Sequence, residues 1–206
     1  MAAAVLGLGV LAGCASTVPA QITTFNRHEA SATAWAGRRF VIEPLPDQRG
    51  SLEYASHAER IRGALQKHGL VPVDSPSLAE LLVHFDYGSG GAVASTVDHG
   101  VRSSISFGVG GGFRTGWGLG VGIPVGGSAA GEILYRHQLQ MQINRLKPGV
   151  KGPEAGERLY ESTLVTQGES ASITPLMPAM IDALLADFPG ENGKTRTVRF
   201  PRSPDH

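Results

Sequence analysis

Ile133-Leu134-Tyr135-Arg136-His137-Gln138-Leu139-Gln140-Met141-Gln142-Ile143-Asn144-Arg145 is the stretch that decides the fold. From Glu132 onward, Ile133, Tyr135, His137, Leu139, Met141 and Ile143 alternate with Leu134, Arg136, Gln138, Gln140, Gln142 and Asn144. A period of two over this length is a strand with one largely apolar face and one largely polar face. That is the pattern of an antiparallel sheet wetted on one side. Downstream, Lys147 to Gly156 holds Pro148, Gly149, Gly152 and Pro153 and reads as a turn, and Arg158 to Gln167 returns as a second strand.

Upstream, Glu80 to Tyr87 is a strand with Leu81, Val83, Phe85 and Tyr87 on one side and His84 and Asp86 on the other. Phe40 to Glu43 is a shorter one, closed by Pro44 and Pro46. Between them, Ser51 is placed to cap a helix that runs to about His68. Tyr54, Ala58, Ile61 and Leu65 recur at helical spacing, and Gly69 and Leu70 supply a C-terminal stop. A second helical region begins at Pro175 with Thr174 as N-cap. Its apolar stripe is Met177, Ile181, Leu184, Leu185 and Phe188, and Pro189-Gly190 ends it. Thr197 to Phe200 adds a short last strand. These elements predict an α+β fold: a mostly antiparallel sheet of four or five strands with two helices on one face. The helix between the first two strands permits a right-handed crossover and one parallel pair.

Composition narrows the function classes. Eighteen basic residues balance eighteen acidic ones over 206 residues, so no net field draws the chain to nucleic acid. One cysteine forbids an internal disulfide and a Cys-rich metal site. Glycine is abundant, 28 residues, against an average near ~7% of a chain.

Fifteen of those glycines lie in 88–131, which we expect to be a Gly-rich hairpin or loop insertion. Ile105, Phe107 and Val109 alternate, as do Trp117, Leu119, Val121, Ile123 and Val125, with Arg114-Thr115-Gly116 as the turn. The two arms, 105–113 and 117–125, have one apolar face and one face almost without side chains. Transmembrane barrel strands need ~9–11 residues, so pooled hairpins could build a small barrel. A single hairpin could instead lie in the lipid interface. Glycine in strands costs ~0.5–1 kcal/mol per position, which argues for a loop.

The address of the protein is written at its start. Ala2 to Leu11 is an apolar run of ten, too short to span a bilayer and suited to the core of a secretion signal. Leu11-Ala12-Gly13-Cys14 follows, and it resembles the bacterial lipobox. The resemblance implies a diacylglyceryl group on the Cys14 sulfur, cleavage before Cys14 and acylation of its new amine. No basic residue precedes Arg27, so we expect a basic leader upstream of Met1. Ala15 after the cysteine, rather than Asp, resembles lipoproteins sorted to the outer membrane. The organisation expected is a signal peptide at 1–13, lipidated Cys14 and a tether through residue 24, one α+β domain over 25–200, and a tail at 201–206.

The order of motifs resembles a family of bacterial envelope lipoproteins defined only as a domain of unknown function. It rests on Cys14, on Phe25, Trp35 and Phe40, and on Leu81-Leu82-Val83-His84-Phe85. The Gly-rich stretch, the Gln-rich strand around Leu139 and Leu184-Leu185-Ala186-Asp187-Phe188-Pro189 complete it. The family implies an extracytoplasmic lipoprotein without known catalysis and carries over no catalytic residues.

Catalytic patterns fail in this chain. No G-x-G-x-x-G occurs, so a dinucleotide site is unsupported. Gly190 to Thr195 imitates a phosphate loop, but Phe188 stands where its first glycine belongs, and we read a turn. Gly168-Glu169-Ser170-Ala171-Ser172 misses the nucleophile elbow in its last residue. Seven histidines are scattered without metal spacing. His137 falls on the apolar strand face, as a hydrogen-bonded core residue. His84 and Asp86 share a face that we expect to be solvated. Glu157 and Glu161 lie on one strand with nothing to assign them opposite roles.

The leading expectation is a non-catalytic lipoprotein on the periplasmic face of the outer membrane. It takes no cofactor, metal or nucleic acid. Its contacts are the membrane, through the lipid on Cys14, and an envelope protein or a second copy of itself. Two alternatives stand beside it: an oligomeric pore-type lipoprotein using hairpin 105–125, and a periplasmic hydrolase working through His84 and Asp86.

Overall fold

Alternating apolar residues make the strands and helical spacing makes the helices, and together they build one mixed sheet with two helices on it. The computed structural model describes residues 17–27, 32–94, 104–108, 120–124, 133–146 and 156–201. In chain order these hold β1 (Thr17–Asn26), β2 (Arg39–Ile42), α1 (Leu52–Lys67), β3 (Val71–Pro72), β4 (Leu81–Ala94), β5 (Ser104–Gly108), β6 (Gly120–Pro124), β7 (Ile133–Arg145), β8 (Arg158–Gly168), α2 (Met177–Leu185) and β9 (Lys194–Pro201). Seven strands form one sheet in the order β3-β2-β4-β7-β8-β1-β9, and β5 and β6 form a separate pair.

The α+β class holds, and the sheet is larger and more mixed than the sequence suggests. From β4 through β7, β8 and β1 to β9, each strand runs antiparallel to the next. Strand β2 runs parallel to both β4 and β3. The β2–β4 pair is the expected parallel pair across a helix, with Phe40 opposite Leu81.

The largest correction concerns residues 15–24, read above as a tether. From Thr17 they are strand β1, paired with β8 on one side and β9 on the other. Val18, Ala20 and Ile22 are buried in alternation with Thr17, Pro19 and Gln21. Pro19 is tolerated because it sits where β1 has only one neighbour. The β8 register begins at Ala20, opposite Thr166, so no central ladder bond is lost at the proline.

A second correction is the length of β4. It runs through the first glycines of the presumed insertion to Ala94, with a bulge between Gly90 and Ala92. The glycines at 88 and 90 are strand residues that face β7, not loop residues. Within the remainder, β5 and β6 pair antiparallel, with Ile105 opposite Ile123 and Phe107 opposite Val121. The expected turn at Arg114-Thr115-Gly116 and the outer parts of both arms lie outside the described residues.

A third correction is the second face of the sheet. The expected solvated side contains Leu82, His84, Gln140, Gln142, Asn144, Thr23 and Val165, all buried. The helices pack on the other face, where Leu81, Val83, Phe85, Leu139, Met141, Ile143, Leu164 and Ile22 are buried to 0% exposure.

Local chemistry fixes the ends of α1. Ser51 has an extended backbone and its hydroxyl accepts from the Tyr54 N–H at 3.1 Å. At the other end, Leu70 N–H donates to Leu65 carbonyl and Gly69 N–H to Gln66 carbonyl. Gly69 takes φ +86°, as this double-bonded stop requires. Ser51→Ala is expected to lower stability by ~1 kcal/mol, read as a shift of the urea midpoint at unchanged slope. A midpoint equal to that of the parent would show the cap to be idle.

Helix α2 begins differently from expectation. Thr174 lies in a short 3-10 turn (Thr174–Leu176) rather than capping the helix. Its hydroxyl donates instead to the Glu53 carboxylate of α1 at 2.8 Å. Met177, Met180, Ile181, Leu184 and Leu185 then pack inward. The two helices are joined by Arg60 and Asp182, whose guanidinium and carboxylate meet through two hydrogen bonds.

Candidate functional site

Cys14 lies outside the described residues. Strand β1 begins three residues after it, at Thr17, so most of the tether expected from the sequence is strand.

Register shows what else lies at that end of the sheet. Ala20 is opposite Thr166 of β8, Thr166 is opposite His137 of β7, and His137 is opposite Ser89 of β4. Two residues nearer that end, Gly168 is opposite Tyr135, which is opposite Ala92. The pair closing the sheet there is Ala94 with Ile133. The chain leaves β4 at Ala94 and returns in β7 at Ile133 at this end of the sheet, the end at which β1 starts with Thr17. Strand β6 also approaches β1 itself.

The residues with catalytic types are held in structural roles. His84 is 2% exposed rather than solvated, and its Nδ1 lies 2.9 Å from the Glu43 carbonyl oxygen. Asp86 accepts from the Gln48 side-chain amide and from the Tyr87 N–H. Gln48 also donates to the Phe85 carbonyl, so residues after β2 are pinned across His84 and Asp86. Glu157 and Glu161, noted together in the sequence, are separated in use. Glu157 pairs with Arg27 at 3.0 Å, while Glu161 accepts from Gln140 at 2.9 Å and pairs with Arg158 at 2.8 Å. His137 is a buried core residue as expected, with Nδ1 at 2.9 Å from the Ser89 hydroxyl. Among the described residues, no group of three His, Cys, Asp or Glu side chains could hold a metal ion.

Burial lowers the pKa of His84, an effect opposed by its hydrogen bond to the Glu43 carbonyl and by the Glu43 charge. His137 is lowered for the same first reason. A lowered histidine takes up its proton in the unfolded chain before the folded one. The stability it allows is therefore complete above the ordinary histidine value near ~6.5 and drains away as pH falls from there through the folded value. His84→Asn keeps a donor for the Glu43 carbonyl and removes the titration. The difference between urea midpoints at pH ~7.5 and ~5.5 is expected to shrink in this variant. An undiminished difference would count against His84 as an acid-sensitive point.

Two polar devices on the helix side carried no signal in the sequence. Asn26, at the end of β1, donates through its amide to the Pro189 and Gly190 carbonyls, and its N–H donates to the Asn192 side chain. It clamps the turn that precedes β9. Nearby, Thr24 and Ser162 hydroxyls lie 2.9 Å apart. Burial raises the Tyr160 phenol beside them to about 12.

No protein-family model matches this chain, and no curated protein matches it. Solved structures do resemble it. A PDZ domain protein from Parabacteroides distasonis superposes at a TM-score of 0.50 and 13% identity over 89% of this chain. The chain spans only 38% of that protein's length. A DUF4136 family protein from Bacteroides thetaiotaomicron gives a TM-score of 0.41 at 14% identity, covering 84% of this chain and 97% of that one. A PelC dodecamer from Paraburkholderia phytofirmans gives 0.36 at 8% identity, covering 82% and 96%. The first of these shows a shared fold, and identities this low assign no activity.

Proposed function

We propose that this chain is a lipoprotein of the bacterial envelope, acylated on Cys14, whose α+β body serves a binding or structural role without catalysis. One observation carries the reading. The chain's only cysteine closes Leu11-Ala12-Gly13-Cys14 behind an apolar run of ten, and the fold begins three residues later. Lipid chains on that sulfur would draw the Thr17 end of the sheet to within about 11 Å of the membrane interface. The body would be seated on the bilayer rather than held away from it. Ala15 supports the periplasmic face of the outer membrane as its place.

The absence of catalysis is part of the proposal. It is supported by the use of His84, His137, Asp86, Glu157 and Glu161 in the hydrogen bonds and ion pairs that hold the sheet. Membership in an envelope lipoprotein family of unknown function belongs to the same proposal.

Mass spectrometry of the mature N-terminal peptide tests the reading. A peptide beginning at Cys14 and carrying a diacylglyceryl thioether is expected. A free Cys14 thiol inside an uncleaved chain would overturn it. No helix among the described residues is long and apolar enough to cross a membrane.

A further inference from the structure

The turn from Gly190 to Lys194, just before β9, holds a reactive pair that neither the fold nor the anchoring reading uses. Asn192 is followed by Gly193. Glycine has no Cβ, so no side chain hinders the Gly193 nitrogen from reaching the Cγ of Asn192. The other two asparagines, Asn26 and Asn144, precede arginines and are buried. Asn192 is exposed, and Gly193 has open space around it at a φ of +72°.

The chemistry open to such a pair is succinimide formation. A base removes the Gly193 amide proton, the nitrogen attacks Asn192 Cγ, and the new C–N bond closes a ring. The Cγ–Nδ2 bond breaks, and ammonia leaves with a proton from solvent. Water then opens the ring at either carbonyl. One opening gives aspartate. The other gives isoaspartate, in which the main chain runs through the side-chain carbon. The net exchange turns an amide and a water into a carboxylate and an ammonium ion.

The fold holds both reacting groups away from this path. Gly193 N–H donates to the Thr24 carbonyl of β1 at 2.8 Å, and Asn192 Oδ1 accepts from the Asn26 N–H at 2.9 Å. Ring closure must swing the Asn192 side chain over its own following amide, which breaks these bonds to β1. Asn26 secures the same turn again, because its Nδ2 donates to the Pro189 and Gly190 carbonyls at 3.3 and 2.8 Å.

We propose that Asn192 is a deamidation site gated by the Thr24–Asn26 end of β1, closed while the turn is docked and reactive when it opens. The consequence falls on β9. That strand ends the sheet order beside β1, and its ladder starts with Lys194 opposite Thr24. Isoaspartate inserts an extra backbone atom immediately before that pair. The Gly193–Thr24 bond and the start of the register are then lost, so the modification loosens β9 and accumulates with the age of the molecule.

Peptide mapping by mass spectrometry tests the proposal. Full-length protein is incubated in mildly alkaline buffer, either folded or in concentrated urea, then digested at acidic pH. Conversion at Asn192 is expected in both, at least about tenfold more slowly in the folded protein, because the rate is scaled by the population of the opened turn. Asn144 is the internal reference and is expected to lag behind Asn192. Asn26→Ala removes the two side-chain bonds and leaves the reactive pair intact, so it is expected to raise the folded rate several-fold. Its urea midpoint shows whether it is folded during the incubation, and Asn26→Ser takes its place if it is not. The isoaspartate form, separated by chromatography, is expected to unfold at a lower urea concentration than the parent.

Equal rates in the folded and unfolded chain would overturn the gate, and no conversion in urea would overturn the site. A folded Asn26 variant that converts at the parent's rate would show that β1 does not control the turn. An isoaspartate form with the parent's midpoint would overturn the effect on β9.

Discussion

Cys14→Ser, placed behind a leader that the ordinary secretion peptidase cuts, is expected to move the protein from the membrane pellet to the soluble periplasmic fraction. The bound share should fall from above about 90% to below about 10% after a carbonate wash. The size of the effect follows from transfer free energies. Each buried methylene contributes ~0.8 kcal/mol, yet a single acyl chain gives only ~10⁴ M⁻¹ for membranes, because immobilising the protein costs much of the gain. Further chains on the same residue add their methylenes without repeating that cost, which takes retention from marginal to lasting. Retention of the serine variant at the parent's level would mean that something other than acyl chains holds the protein down. Substituting the leader matters, because a variant that kept residues 1–13 would carry an apolar run of ten into the pellet for a different reason.

Legibility in the sequence tracked how many side chains voted for each element. Strand β7 was plain because thirteen residues alternate without interruption, and helix α1 because its stripe, its Ser51 cap and its Gly69 stop agree. Strand β1 was not, since its inward apolar residues are only Val18, Ala20 and Ile22, set among Thr, Pro and Gln that read as linker. Its strand character comes from two neighbours in the sheet, β8 and β9, that are distant in sequence. The buried second face was hidden for a related reason. Gln140, Gln142 and Asn144 look like a wetted row, and only tertiary placement buries them. Of the candidate site, Cys14 was legible as a local motif, the close of Leu11-Ala12-Gly13-Cys14. That β1 starts at the end of the sheet where β4 stops and β7 begins was not, because that depends on the register joining β1 to β4 through β8 and β7.

The same dependence on distant neighbours makes Trp35 the most sensitive point of the core. Trp35 is 0% exposed, in the turn between a short 3-10 segment (Ala32–Ala34) and β2. Its ring meets Phe188 edge-on at 5.0 Å and Tyr160 at 6.2 Å, and the Arg38 guanidinium lies 5.6 Å from its centroid. It thus joins the approach to β2, strand β8 and the turn after α2. The Gly37 N–H donates to the Gly69 carbonyl just behind it, linking the same turn to the end of α1. Trp35→Ala is expected to cost ~3–5 kcal/mol, from lost transfer energy plus the cavity left among rings that cannot all collapse inward. That is a large part of the ~5–15 kcal/mol that holds a typical domain. Urea unfolding of the acylated protein in detergent measures it, and Trp35→Phe, which keeps one edge-to-face partner, should lose clearly less. The Arg60–Asp182 pair offers a contrast within the same fold. Its two hydrogen bonds join α1 to α2, but the side chains are 44% and 57% exposed, and such pairs are worth only ~0.2–1 kcal/mol. If Trp35→Ala proved no more costly than Arg60→Ala, the aromatic cluster could not be what fastens the β2 approach to the rest of the sheet.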